Sequence, residues 1–132
     1  MQVDVVSPEK LLFSSEAVSV EIPGSDGDMT AMANHAPLIT TLRPGILRVV
    51  QDKGTSEYIV TGGFAELGET VSVLAEMAVL KADFDREMFD ELVTAAQTAL
   101  DSARVNMAGD AVDMAAKSLS DFNILGENLG FK

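Results

Sequence analysis

The chain has 132 residues, enough for one ordinary domain or a small domain with an appendage. Hydrophobic residues make up 47% of it, which excludes wholesale disorder, and with aromatics at 5% and no Trp the core must be aliphatic. Twenty-one acidic residues against nine basic ones leave a net charge of −12, which argues against nucleic acid and anionic lipid and favours neutral or basic protein surfaces.

In chain order, Val3-Asp4-Val5, Val18-Ser19-Val20-Glu21-Ile22 and Thr70-Val71-Ser72-Val73 alternate apolar and polar residues, the period of a strand with one buried face. Ile46-Leu47-Arg48-Val49-Val50 and Tyr58-Ile59-Val60 are β-branched, apolar runs suited to well-buried strands. Turn signals separate them at Gly24-Ser25-Asp26-Gly27, Pro44-Gly45, Asp52-Lys53-Gly54, Gly62-Gly63 and Gly68-Glu69. Short strands at this spacing predict a β-sandwich of about ten strands over residues 1–82. All four prolines and seven of the ten glycines precede residue 82. Helix formers follow, and residues 83–132 are expected to form an antiparallel two-helix hairpin. Asp83 is the expected cap of the first helix, with Met88, Leu92, Ala95, Ala96, Ala99 and Ala103 as its stripe. Gly109 is expected to take the left-handed turn between the helices and Asp110 to cap the second. Val112, Ala115, Ala116, Leu119 and Phe122 form the second stripe, and residues 126–132 are expected to fray. Stripes this rich in alanine bury little area, so the hairpin needs a surface to lie on.

Catalytic chemistry is hard to find. With no cysteine, disulfides and thiolate metal sites are excluded. His35 is the single histidine, too few for a multi-histidine metal site, and no Gly-x-Ser-x-Gly elbow accompanies it. It reads as a turn histidine bonded to backbone or as an exposed partner contact. Gly62-Gly63-Phe64-Ala65-Glu66 lacks the Gly-Lys-Ser/Thr ending of a phosphate loop and reads as a tight turn or bulge between strands. Ser25-Asp26-Gly27-Asp28 is too short for a calcium loop. No apolar stretch approaches the roughly twenty residues of a membrane span. Met1-Gln2-Val3-Asp4 lacks the features of a signal segment. These features predict a soluble, cytoplasmic chain, not an enzyme, that reaches a membrane only through another protein.

A set of segments occurs in order: Val3-Asp4-Val5-Val6-Ser7-Pro8-Glu9 with Phe13-Ser14, Gly24-Ser25-Asp26-Gly27-Asp28, His35-Ala36-Pro37-Leu38, Pro44-Gly45, Gly62-Gly63-Phe64-Ala65-Glu66 and Val73-Leu74-Ala75-Glu76. Together they resemble the epsilon subunits of bacterial F-type ATP synthases, equivalent to the mitochondrial delta subunit. The resemblance implies a non-catalytic subunit of the rotating central stalk. Its sandwich would join the gamma subunit to the membrane c-ring and couple proton translocation to ATP synthesis. The implied location is peripheral, on the cytoplasmic face of the bacterial inner membrane or, alternatively, the matrix side of the mitochondrial one. Carried over by position, Asp28 and His35 would face the c-ring, although Ala33-Asn34 stands where the family commonly has Pro-Gly.

In some members the hairpin binds ATP through Ile/Leu-Asp-x-x-Arg-Ala or reaches the catalytic alpha/beta head and inhibits hydrolysis. Here Phe84-Asp85-Arg86-Glu87-Met88-Phe89 keeps Asp85 as a remnant, with Arg86 two residues from the motif's arginine position, which Met88 fills. Methionine cannot pair with phosphate, so neither ATP nor any other cofactor is expected. From residue 83 onward ten acidic residues outnumber four basic ones, Arg86, Arg104, Lys117 and Lys132. Because the inhibitory arm meets acidic segments of the head through basic residues, weak or absent inhibition is expected. Two other classes compete: a free-standing ligand-binding sandwich with a helical lid, and a hydrolase using His35.

Overall fold

The computed structural model describes residues 1–131; Lys132 lies outside the described residues. The chain divides into two units, Met1–Asp83 and Phe84–Lys132.

The first unit is an eight-stranded β-sandwich. Its strands are β1 Gln2–Val6, β2 Leu11–Glu16, β3 Ser19–Gly24, β4 Gly27–Met32, β5 Leu38–Thr41, β6 Gly45–Gln51, β7 Gly54–Leu67 and β8 Val71–Leu80. They pair in the order β2-β1-β8-β7-β6-β3-β4, with β5 added on β7. Only the β1–β8 pairing is parallel. The sheet turns back on itself without closing, which leaves β2 and β4 as the ends of the path. Between the layers lie Val3, Val5, Val20, Ile22, Leu47, Val49, Val71 and Val73, all fully buried. This is the aliphatic core the composition requires, each side chain contributing about 1.5–3 kcal/mol.

Eight strands stand where about ten were expected, and one of the missing breaks is at Gly62-Gly63, which is neither a turn nor a bulge between strands. β7 runs straight through it for 14 residues. Its register against β8 is the same on both sides of the pair, Thr61 opposite Met77 and Gly63 opposite Ala75. What changes is the other partner: Gly54–Val60 pairs with β6, and Phe64–Leu67 pairs with β5. The pair is therefore the corner at which one strand passes from one layer to the other. Both glycines are left-handed, with φ +61° and +91°, and Gly63 lies so close to Leu74 that a Cβ there would meet the Leu74 carbonyl. Only glycine serves such a corner.

Tyr58, the single tyrosine, is buried and packs edge-to-face with Phe13, the ring centroids 6.5 Å apart. Burial raises its phenol above the usual 10.0. The neutral phenol is thus favoured in the fold, and its stabilising contribution is full below pH 10.0 and lost as pH rises through the folded value. Ultraviolet titration of the phenolate should give a midpoint above that of the urea-unfolded chain.

The second unit holds α1 Arg86–Val105 and α2 Gly109–Leu129. The cap of α1 is Asp85, not Asp83: the Met88 amide donates to the Asp85 carboxylate at 2.9 Å, while Asp83 closes a preceding 3-10 turn. Phe84 just before the cap and Phe89 in the first turn bracket the helix start, and both rings pack on Phe131 (6.1 and 5.4 Å between centroids). The buried face of α1 is Phe89, Ala96, Leu100 and Ala103, so Ala95 and Ala99, expected inside, are exposed. In α2 the buried residues are Phe122, Leu125 and Gly126, with Ala116 exposed. Gly126 seats the Phe89 ring where a Cβ would overlap it. The hairpin is thus held at its open end by aromatic packing.

Between the helices the left-handed residue is Met107 (φ +54°), while Gly109 starts α2 and Asp110 sits in its first turn without capping it. Methionine there carries about 1 kcal/mol of strain. Since its side chain is 90% exposed, Met107→Gly should raise hairpin stability by up to about 1 kcal/mol in helical circular dichroism melts. The expected fraying is also corrected for residues 126–131, Lys132 lying outside the described residues. α2 stays helical to Leu129 and ends at left-handed Gly130, with the Phe131 amide donating to the Gly126 carbonyl at 2.8 Å.

Candidate functional site: two exposed apolar surfaces

Among the described residues no three His, Asp or Glu side chains converge as a metal site, and no helix is long and apolar enough to cross a membrane. The sandwich carries two exposed apolar surfaces.

The first follows β4 and the loop to β5. Along β4 the side chains alternate, Asp28, Thr30 and Met32 exposed, with Ala31 buried and Met29 half-buried on the other face. The tip of the β3–β4 hairpin is tied down. The Ser25 amide donates to Thr41 at 2.9 Å, the Arg43 guanidinium donates to the Gly24 carbonyl at 2.6 Å, and the same guanidinium pairs with the Asp28 carboxylate. At the far end the chain turns at Asn34, left-handed with φ +66°, and the His35 amide donates to the Met32 carbonyl at 3.2 Å. Asparagine in place of the glycine thus preserves a left-handed turn. The His35 ring bonds to backbone, its Nδ1 lying 2.6 Å from the Ala36 carbonyl oxygen.

The two residues singled out from sequence do not meet. Asp28 starts β4 and His35 follows its end, with roughly 13 Å of strand between Asp28 and Met32 alone at about 3.3 Å per residue. They flank a strip instead of forming a cluster. From Met29 to Leu42 the strip and its continuation contain no Asp, Glu, Lys or Arg.

Sequence reading missed the second surface. On the outer face of the other layer, cross-strand register aligns Phe64 with Leu74, Leu74 with Val6, and Val6 with Leu11. Leu11 is 58% exposed, Phe64 40% and Leu74 37%, in a row spanning four strands. A second row beside it is polar: Glu66 opposite Ser72, Ser72 beside Asp4, and Asp4 opposite Ser14. Ser14 Oγ donates to the Asp4 carboxylate at 2.6 Å and Gln2 Nε2 at 3.0 Å, and these bonds hold its pKa below the usual carboxylate value. An apolar row beside an acidic one has the layout of a protein interface, core and rim. The signal was in the sequence as apolar residues on the outward phase of otherwise alternating strands, but only the register puts them in line.

The hairpin residues singled out from sequence are engaged within their own helix. The Asp85 carboxylate caps α1, and Arg86 Nε pairs with Asp90 at 3.1 Å.

The chain thus combines an open sandwich, a helical hairpin and two exposed apolar surfaces on the sandwich. Residues 1–81 match the family model described as ATP synthase, Delta/Epsilon chain, beta-sandwich domain. The ATP synthase epsilon chain of Fuscovulum blasticum is 49% identical over 132 residues, covering 99% of this chain and 97% of that one. That of Ruegeria sp. is 50% identical over 131 residues, covering 98% and 96%. The chain belongs to the ATP synthase delta/epsilon family. The fold also matches a chain in the Euglena gracilis mitochondrial ATP synthase, OSCP/F1/c-ring, in rotational state 1, with a TM-score of 0.72 and 22% identity over 96% of this chain and 79% of that one.

Proposed function

We propose that the chain is a non-catalytic rotor subunit of an F-type ATP synthase, joining the gamma subunit to the membrane c-ring and coupling proton translocation to ATP synthesis. A linker between two partners needs two separate recognition surfaces. The observation that carries the reading is that the sandwich offers two, in a chain whose full-length relatives are ATP synthase epsilon chains. The β4 strip from Asp28 to His35 faces the ring, as the position-by-position resemblance implies. The Leu11–Val6–Leu74–Phe64 row then faces gamma. The sandwich, residues 1–82, makes both contacts, and the chain lies peripherally on the cytoplasmic side of the bacterial inner membrane.

The hairpin, residues 83–132, is a reduced arm, weakly inhibitory or not at all, and binds no ATP. Its charge supports this reading, since the ten acidic residues would repel an acidic site in the alpha/beta head. Engagement of Asp85 as a cap and Arg86 as a partner of Asp90 also favours it. Gel filtration with purified gamma subunit tests the role: a stable one-to-one complex is expected, and separate elution of the two proteins would contradict it.

A further inference from the structure

The tip of the β3–β4 hairpin carries a dipeptide that occurs once in the chain. Asp26 is followed by glycine, whereas each of the other ten aspartates precedes a residue with a side chain, and none of the four asparagines precedes glycine. Asp26 and Gly27 are both exposed, and a Cβ at Gly27 would meet nothing within 4 Å, so the main chain there is open to approach. Gly27 has φ +138°, a conformation that side-chain-bearing residues rarely adopt, so the fold itself demands the glycine after Asp26. The residues on either side are held. The Ser25 amide donates to the Thr41 carbonyl, and the Arg43 guanidinium spans the Gly24 carbonyl and the Asp28 carboxylate. Asp28 is thus engaged, while the Asp26 carboxylate accepts no hydrogen bond and joins no ion pair among the described residues.

We infer that Asp26-Gly27 is a site of spontaneous covalent modification, at which the aspartate isomerises to isoaspartate and becomes a substrate for methyl transfer by isoaspartate-repair enzymes. The Gly27 nitrogen attacks Cγ of Asp26, and the new C–N bond closes a five-membered succinimide. One carboxylate oxygen leaves as water, taking the amide proton and a proton from solvent. Water then adds at the main-chain carbonyl carbon of Asp26 and breaks its bond to the Gly27 nitrogen. The chain now runs through Cγ, the former main-chain carbonyl is a free carboxylate, and nothing is oxidised, reduced, gained or lost overall. A side chain on the attacking residue hinders the ring closure, which sets the other ten aspartates apart. Five of them, Asp90, Asp101, Asp110, Asp113 and Asp121, also lie within α1 or α2, where the backbone is fixed. The product has one more carbon in the main chain of a two-residue turn. The pairs Gly24–Gly27 and Pro23–Asp28 then cannot both keep their register, and Arg43 loses one of its two partners at the tip. The inference does not depend on the rotor role.

The test ages the purified full chain for weeks at neutral pH in the warm. Isoaspartate is read as methyl uptake from S-adenosylmethionine with a purified repair methyltransferase, and located by peptide fragmentation that separates the two isomers. Uptake should grow with time and map to Asp26. Two variants keep the turn and its glycine while changing only the electrophile. Asp26→Glu would need a six-membered ring, and its uptake should fall at least about tenfold, a barrier higher by about 1.4 kcal/mol or more. Asp26→Asn presents a neutral amide that leaves as ammonia, and its conversion should outpace that of the native chain. Aged chain enriched in isoaspartate should unfold at lower urea than fresh chain, as the tip loses its register. Uptake that maps mainly to another aspartate, or that Asp26→Glu leaves unchanged, overturns the proposal. So does an Asp26→Asn chain that stays intact, since the folded tip would then hold the Gly27 nitrogen away from Cγ.

Discussion

Gly63→Val is expected to unfold the sandwich. Gly63 has φ +91°, a conformation that costs a β-branched residue about 1–3 kcal/mol before any contact is counted. The added Cβ would also meet main chain, the Leu74 carbonyl and the Ala75 Cα (2.9 Å), in the neighbouring strand β8. A flexible side chain could move aside, but a paired strand cannot do so without losing its ladder. The corner also joins the two layers, so moving it disturbs β5 on one side and β6 on the other. A loss of at least about 3 kcal/mol is expected, a large share of the roughly 5–15 kcal/mol by which domains are stable. Urea unfolding followed by Tyr58 fluorescence, with no Trp to interfere, gives the readout. Gly68→Ala is the control, since a Cβ at Gly68 would meet nothing within 4 Å and its midpoint should hardly move.

The second large effect is on assembly. Leu74→Asp should leave the fold nearly unchanged, because Leu74 is 37% exposed on the outer face of β8. It should abolish the complex with gamma. A carboxylate at the centre of an apolar row must be desolvated without a partner, and the Asp4 and Glu66 carboxylates of the adjacent row add repulsion. Central interface positions commonly carry about 2 kcal/mol or more, so affinity should drop by at least roughly thirtyfold. Met32→Asp is the complementary variant. It sits on the other surface, 58% exposed, and should keep gamma binding intact while weakening retention on the ring. If both variants lost gamma equally, the assignment of the two surfaces to two partners would be wrong.

Much of the fold could be read from residue patterns because buried strands carry strong ones. Val3-Asp4-Val5, Leu47-Arg48-Val49 and Val71-Ser72-Val73 alternate with their inward members fully buried, and each was legible as a strand. The strands that went unread are β2, β4 and β5. Their burial is partial or one-sided, and Gly27-Asp28-Met29-Thr30-Ala31-Met32 offers a single β-branched residue and an alternation that its exposed Met32 breaks. Docking strands are of this kind, since a surface kept exposed for a partner does not show a core pattern. Gly62-Gly63 misled for a different reason. A glycine pair marks unusual backbone, but whether that backbone turns back or bends onward is decided by the strand beside it. In the hairpin, Asp83 and Asp85 are equally good caps by composition. The buried Phe84 between them sets the start of α1 at the later of the two.

For the candidate site, Asp28 and His35 were named by resemblance, and the turn bonding of His35 was readable from its Asn-His-Ala-Pro setting. Their separation along β4 was not, because it depends on Asp28 starting the strand and His35 following it. The outer row was invisible for a similar reason. Val6 and Leu11 lie far in sequence from Phe64 and Leu74, and each looks like an ordinary strand residue. Only the pairing of β2, β1, β8 and β7 aligns them.

ATP-driven proton uptake into synthase vesicles depleted of their own epsilon chain, at matched ATP hydrolysis, tests the central claim most directly. Adding the chain should restore uptake per ATP hydrolysed, and Leu74→Asp and Met32→Asp should each fail to restore it. Uptake that stayed uncoupled after the native chain was added, or that either variant restored in full, would contradict a role as the coupling link between gamma and the ring.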